Sequence, residues 1–197
     1  MPDPDREDRI AAAAYTLLSE KGYAGASMLS IAKAARASNE TLYKWYGDKC
    51  GLFTALARRN ARAIREDLDA ALAGDGSAPE TLARVAPRLL AMLLDDPAIL
   101  LNRAAAGDAT GALGQAIAEG GRADIAPRIG GLVARALRDA GSDMPPDRAT
   151  TLFLDLLIGD RQIRRVIGTL PRPTRAETEA RAATALTDFA RLTGIAV

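Results

Sequence analysis

Histidine is absent from the 197 residues, and cysteine occurs once, at position 50. The first absence removes the commonest general base and metal ligand. The second leaves no internal disulfide framework and suits a reducing cytoplasm. Aromatic residues make up only 4% of a chain rich in Ala and Leu, which points to an all-α protein rather than a β protein. No apolar run reaches about 18 residues, and Met1 to Arg9 is charged and polar, so neither a membrane span nor a signal peptide is expected. A lone Cys without His, no phosphate-binding Gly loop and no paired metal-ligand spacing leave only scattered carboxylates for chemistry. The sequence therefore predicts no catalytic residue, no metal site and no cofactor.

The net charge of +1 is uninformative, but its distribution is not. Residues 21–65 hold nine bases against two acids, and the rest of the chain is correspondingly acidic. A basic segment on a nearly neutral body is the electrostatic footprint of a DNA-binding head. For Arg58 to Arg65 the plainer reading, a charged solvent face on a long helix, is preferred.

Within that segment lie two short helical patterns. Met28, Ile31, Ala32 and Ala35 share one face of a helix from Met28 to Ala35, with Ser27 placed to cap it. Leu42, Trp45 and Tyr46 turn inward from a second helix, Asn39 to Tyr46. Only Arg36, Ala37 and Ser38 separate the two, so they must cross steeply, as in a helix-turn-helix. In that arrangement the second helix enters a major groove.

This stretch resembles the DNA-binding signature of the TetR family of bacterial transcriptional regulators. The resemblance rests on Ser27, Ile31-Ala32, Ser38, Thr41-Leu42-Tyr43, Lys44, Trp45-Tyr46 and Lys49, in order and at the family's spacing. It implies an N-terminal three-helix DNA-binding domain and a C-terminal helical domain for ligand binding and dimerisation. It also implies phosphate contacts from Tyr43 and Lys44, a homodimer, and a small-molecule effector. One departure stands in the turn, where the family usually has Ala-Gly-Val and this chain has Ala35-Arg36-Ala37. If the turn demands a positive φ, Arg costs about 1 kcal/mol relative to Gly. Either the turn differs here or Arg36 adds a phosphate contact.

Sequence is read at base edges, whereas phosphate contacts set position. With Ser38 opening the recognition helix, Asn39, Glu40 and Thr41 are best placed for adenine, the cytosine amino group and the thymine methyl. A polar, acidic first turn favoured by the helix dipole explains Asn39 and Glu40 equally well. Because Leu42, Trp45 and Tyr46 already supply the inward face, Tyr43 is expected to point outward. Ser27, Lys33 and Arg36 join the candidate phosphate ligands. Lys49 opens the next helix, where a cation opposes the helix dipole unless a phosphate faces both.

The remaining helices are expected at Arg6 to Lys21, ending at Gly22, and at Lys49 to Ala73, capped by Asp48. The body should follow as Glu80 to Leu94 with a kink at Pro87, Ala98 to Ala106, a short piece from Ala112 to Glu119, and Asp124 to Asp139. Single helices from Asp147 to Ile167 and from Arg175 to Leu192 complete it. The corresponding division is a DNA-binding domain over 1–48, a linking helix over 49–73 and a regulatory and dimerisation domain over 74–197. Asn102, Arg103 and Asp155 lie within apolar helices and are candidates for a ligand pocket, although a surface or intersubunit role fits each as well. Scarce body aromatics favour aliphatic over stacking contacts with an effector.

The reading is a cytoplasmic, ligand-responsive repressor that binds a palindromic double-stranded DNA operator as a homodimer. Two alternatives stand beside it. One is a helical dimer of the same fold working through protein partners; the other, an enzyme, is disfavoured by the absence of His.

Overall fold

The computed structural model describes residues 4–195, and among them all regular structure is helical. Eleven α-helices are present among these residues. They are α1 (Pro4–Gly25), α2 (Met28–Ala34), α3 (Asn39–Tyr46), α4 (Lys49–Ala73), α5 (Ala78–Leu94), α6 (Asp96–Ala106), α7 (Ala112–Ile117), α8 (Ala123–Asp139), α9 (Pro146–Ile158), α10 (Arg161–Val166) and α11 (Arg175–Thr193). A π-helical turn, Ala118–Arg122, joins α7 to α8. None of the described helices is long and apolar enough to cross a membrane.

These helices form two compact units, each with its own core. The first comprises the described residues up to Asn60 together with Asp96–Arg122. Ile10, Ala14, Leu18, Ile31, Leu42 and Phe53 are buried at its centre, and Leu101 and Leu113 join them from α6 and α7. The second comprises Ala61–Asp95 and the described residues from Ala123 onward. Leu68, Leu82, Leu90, Leu132, Phe153 and Phe189 are buried there. The periodicity of α4 serves both cores: Leu52, Phe53 and Leu56 belong to the first, Ile64 and Leu68 to the second. A boundary at residue 74 assigns α6 and α7 to the C-terminal part, whereas the contacts gather them with the head.

Caps set the short helices. Ser27 accepts from the Ser30 amide at 3.1 Å while Ser30 Oγ accepts from the Ser27 amide at 3.0 Å, a reciprocal capping box. Ser38 Oγ accepts from the Thr41 amide at 3.0 Å. Asp48 Oδ1 accepts from the Gly51 amide at 2.7 Å and starts α4. The expected ends of α3 and α4 hold.

The turn between α2 and α3 demands a positive φ. Ala37 N–H donates to Ala32 O at 2.9 Å and Arg36 N–H to Lys33 O at 3.3 Å, the paired bonds of a Schellman ending. This places Arg36 at φ 52, the one non-glycine residue with a positive φ among the described residues. Arg36→Gly should relieve about 1–2 kcal/mol of backbone strain. It should return about 0.4–1 kcal/mol through the greater freedom of Gly in the unfolded chain. The expected net result is a gain of up to about 1.6 kcal/mol, or a melting temperature higher by up to about 6 °C in a chain of this size, read by thermal unfolding.

Two expectations for the body need correction. The helix expected from Asp147 to Ile167 is broken: α9 stops at Ile158, Gly159 takes φ 53, and α10 restarts at Arg161. Apolar spacing continues across the break, which is why periodicity reads straight through it. α10 then docks on the end of α5, where Gln162 Nε2 donates to Leu93 O at 3.2 Å and buried Arg165 Nε to Leu94 O at 3.1 Å. These side chains supply donors to last-turn carbonyls that the helix itself leaves unpaired. The short helix expected to reach Glu119 ends at Ile117 and passes into the π turn.

That π turn rests on α4 through Gly120. A Cβ there would lie 2.3 Å from Thr54 O and 2.9 Å from Ala57 Cβ. Backbone occupies the space, so Gly120→Ala must push the turn off α4. Such overpacking costs about 1–3 kcal/mol. A drop of roughly 2–12 °C in melting temperature is expected, and an unchanged midpoint would refute the close approach.

Candidate nucleic-acid interface

α3 buries one residue fully, Leu42, and leaves a row of polar side chains in solvent. Asn39, Glu40, Tyr43 and Lys44 are all exposed, and Tyr43 keeps half of its surface accessible. This is the outward row expected of a reading helix. Thr41 is half-buried, and its hydroxyl lies 2.7 Å from Ser38 Oγ, so it is engaged in the cap. Trp45 and Tyr46 are half-buried and pack edge to face at 6.3 Å, with the Arg6 guanidinium 5.8 Å from the Trp45 ring. Burial pushes the Tyr46 phenol above its ordinary range.

α2 supplies the flank. Lys33 and Arg36 are exposed, and so is Ser27, although its hydroxyl is committed to the capping box. Leu29, which the sequence reading passed over, is also exposed at 67%. The candidates from Ser27 to Lys44 therefore fall on two short helices and the turn between them. Further along α4, Arg59 pairs with Asp8 at 2.7 Å and Arg65 with Asp124 at 3.5 Å, in keeping with a charged helix face.

Lys49 sits differently from the others. Its ammonium donates to Tyr23 O at 2.7 Å and lies 4.0 Å from the centre of the Tyr23 ring. The side chain is half-buried, and desolvation lowers its pKa while the nearby Asp108 carboxylate opposes the shift. Asp108 is itself held below the usual carboxylate range, first by the Leu113 amide at 3.0 Å and next by the Thr110 hydroxyl at 2.7 Å. The Asp108 carboxylate of the α6–α7 loop thus lies near enough to the first turn of α4 for its charge to act on Lys49. The Tyr23 and Asp108 partnership had no signal in the sequence, because helical spacing carries no information about residues so far apart along the chain.

The three candidate pocket residues are divided between the two units. Asn102 and Arg103 lie on α6 in the first unit and exposed Asp155 on α9 in the second. The Asn102 amide donates to Ala98 O at 2.8 Å within its own helix.

Two capped helices, a tight turn and a second helix with its polar row outward define a helix-turn-helix protein. Residues 10–56 match the family described as bacterial regulatory proteins, tetR family. Residues 80–192 match the family described as AefR-like transcriptional repressor, C-terminal domain. The chain belongs to the TetR family of bacterial transcriptional regulators.

An HTH-type transcriptional regulator of Mycobacterium tuberculosis is 33% identical over 92 residues, or 47% of this chain and 46% of that protein. The chain thus spans about half the length of the curated relatives it matches. Among solved structures, a TetR transcriptional regulator from Agrobacterium tumefaciens has a TM-score of 0.71 at 28% identity, covering 98% of this chain and 95% of that one. A TetR-family regulator from Mesorhizobium loti has a TM-score of 0.73 at 24% identity, covering 97% and 98%.

Proposed function

We propose that the protein is a cytoplasmic, ligand-responsive repressor that binds a palindromic operator as a homodimer. The observation that carries the DNA-binding part is the outward row of α3, with exposed Asn39, Glu40, Tyr43 and Lys44 on a capped helix-turn-helix. Asn39 and Glu40 face base edges, and Tyr43, Lys44, Lys33, Arg36 and Ser27 engage phosphates. Each subunit places α3 in one major groove, with half-sites about one helical turn apart. Lys49 joins the phosphate set once its ammonium leaves the Tyr23 carbonyl.

A second copy is supported by apolar side chains left in solvent on the last helices. Ile163 and Ile167, on and just beyond α10, and Leu192 near the end of α11 are each more than half exposed. Covering them with the same face of a partner removes that apolar surface from water. Light scattering should report a dimer, and Ile163→Glu with Ile167→Glu should yield monomers.

The test of the whole reading is fluorescence anisotropy with the DNA upstream of the protein's own gene, titrated with salt. Tight binding that weakens steeply with salt is expected. Asn39→Ala and Glu40→Ala should change which sequence is preferred, by about 1–3 kcal/mol at the affected base pair, and leave non-specific binding intact. Selection from random duplexes reads the shift. An unchanged preference in both variants would reassign the two residues to the helix cap.

The reading as a dimer acting only through protein partners predicts no salt-sensitive DNA binding from any duplex pool. The effector is expected to be aliphatic rather than flat and aromatic. Phe153 and Phe189, the two aromatics of the second unit, are both buried and packed edge to face at 5.5 Å, so neither ring is free to stack on a ligand.

A further inference from the structure

The second unit carries a cleft of about 640 Å³ between α5 and the start of α11. That volume falls in the range of small-molecule sites. Its chemistry is divided. The floor is apolar, built by Pro87, Ala91 and Leu94 of α5 and by Pro173. The rim is cationic, with Arg84 and Arg88 on α5 and Arg172 and Arg175 beside the start of α11. Glu179 is the one carboxylate in the lining.

Each guanidinium has a carboxylate partner. Arg84 and Arg88 share Asp67, Arg172 pairs with Asp95 at 2.8 Å, and Arg175 pairs with Glu179 at 2.7 Å. These arginine side chains are between 47% and 91% exposed, the range in which ion pairs are weak and exchangeable. Two guanidiniums on one Asp67 also leave a positive charge in surplus at that end.

The walls are preorganised. Arg172 stands between Pro171 and Pro173, whose rings fix the backbone on both sides. The start of α11 is closed by the Thr174–Glu177 capping box. Pro87 brings no N–H to the floor, and the Thr178 hydroxyl is spent on Arg175 O at 2.8 Å. The floor therefore offers apolar contact, while strong donors stand only at the rim.

We infer that this cleft binds a small amphiphilic anion, an aliphatic chain lying on the Pro87–Ala91–Leu94 floor with its carboxylate or phosphate head on the arginine rim. Guanidinium recognises both heads through paired N–H donors, so the two share one chemistry. The inference names an effector class for the proposed repressor and assigns it a site outside Asn102, Arg103 and Asp155. Binding to the protein alone does not depend on DNA, so the two readings fail separately.

The probes are decanoate and decyl phosphate, each titrated calorimetrically into the full-length protein below its micellar concentration. Decanol and acetate serve as the chain-only and head-only controls. One saturable site per subunit is expected for at least one of the anions and none for the controls; which anion binds more tightly distinguishes the head group. Arg88→Gln combined with Arg172→Gln should weaken that binding at least tenfold. Ala91→Phe, at an exposed floor position, should abolish it by filling the groove without touching charge or core. Thermal midpoints of the variants within a few degrees of the parent show that the fold is kept. Decanol binding as well as decanoate, undiminished binding in both variants, or no saturable binding of either anion would overturn the assignment.

Discussion

Tyr43→Ala and Lys44→Ala are each expected to abolish tight binding at every DNA sequence alike. Both side chains are exposed on the same row of α3 as Asn39 and Glu40, but their chemistry suits phosphate oxygens rather than base edges. A hydrogen bond to a charged group contributes about 1.5–3 kcal/mol. In a symmetric dimer each substitution removes two such contacts, which gives a loss of roughly 150-fold to 10⁴-fold. The two variants should differ in salt dependence. Lys44→Ala removes one cation per subunit, so the slope of log affinity against log salt should fall by nearly 2 for the dimer. Tyr43→Ala removes a neutral donor and should leave that slope almost unchanged. Anisotropy titrations at several salt concentrations, with matched and scrambled duplexes, read both effects. A change in sequence preference in either variant would move that residue to the base-reading set.

The second large effect concerns stability. Phe153→Ala should destabilise the protein by about 3–5 kcal/mol, the usual range for removing a fully buried phenyl ring. Phe153 is 1% exposed, meets Phe189 edge to face at 5.5 Å, and belongs to the core that α4, α5, α8, α9 and α11 build together. Phe189, the other aromatic of this unit, is itself fully buried, so a shift of its ring into the space would give up its own packing. Phe153→Leu, which keeps most of the volume, should cost much less. Chemical denaturation with both variants separates loss of packing from a local rearrangement, and equal midpoints for the two would show that the cavity collapses.

The head was legible because local rules govern it. Ser27, Ser38 and Asp48 are capping residues at the places where caps are needed, and the bonds they make are short-range. The departure at Arg36 raised the question of a positive φ and left it open; the paired turn bonds and φ 52 answer it, with Arg held in the left-handed region under strain. What escaped was tertiary. Apolar spacing through Leu152 to Ile167 does not feel the reversal of φ at Gly159, although a Gly-Asp pair inside a helix was a cue. The place of Lys49 in sequence fixes it to the first turn of α4 but not its rotamer, which the Tyr23 carbonyl captures. The arginines of the α5–α11 cleft carried no signal in the sequence, because their convergence depends on the packing of helices distant in sequence.

The first unit is closed by two separate stretches of chain, with α6 and α7 returning after α5 has been laid into the other core. During synthesis the DNA-reading head therefore cannot complete its own core until residue 122 has left the ribosome. A fragment ending at Asn60 would carry the whole reading motif yet lack Leu101, Leu113 and Ala116, which complete its core, and expose the side of α1 on which α6 packs. A nascent or clipped chain that stops before α6 therefore holds the helix-turn-helix without the rest of the core it is packed into.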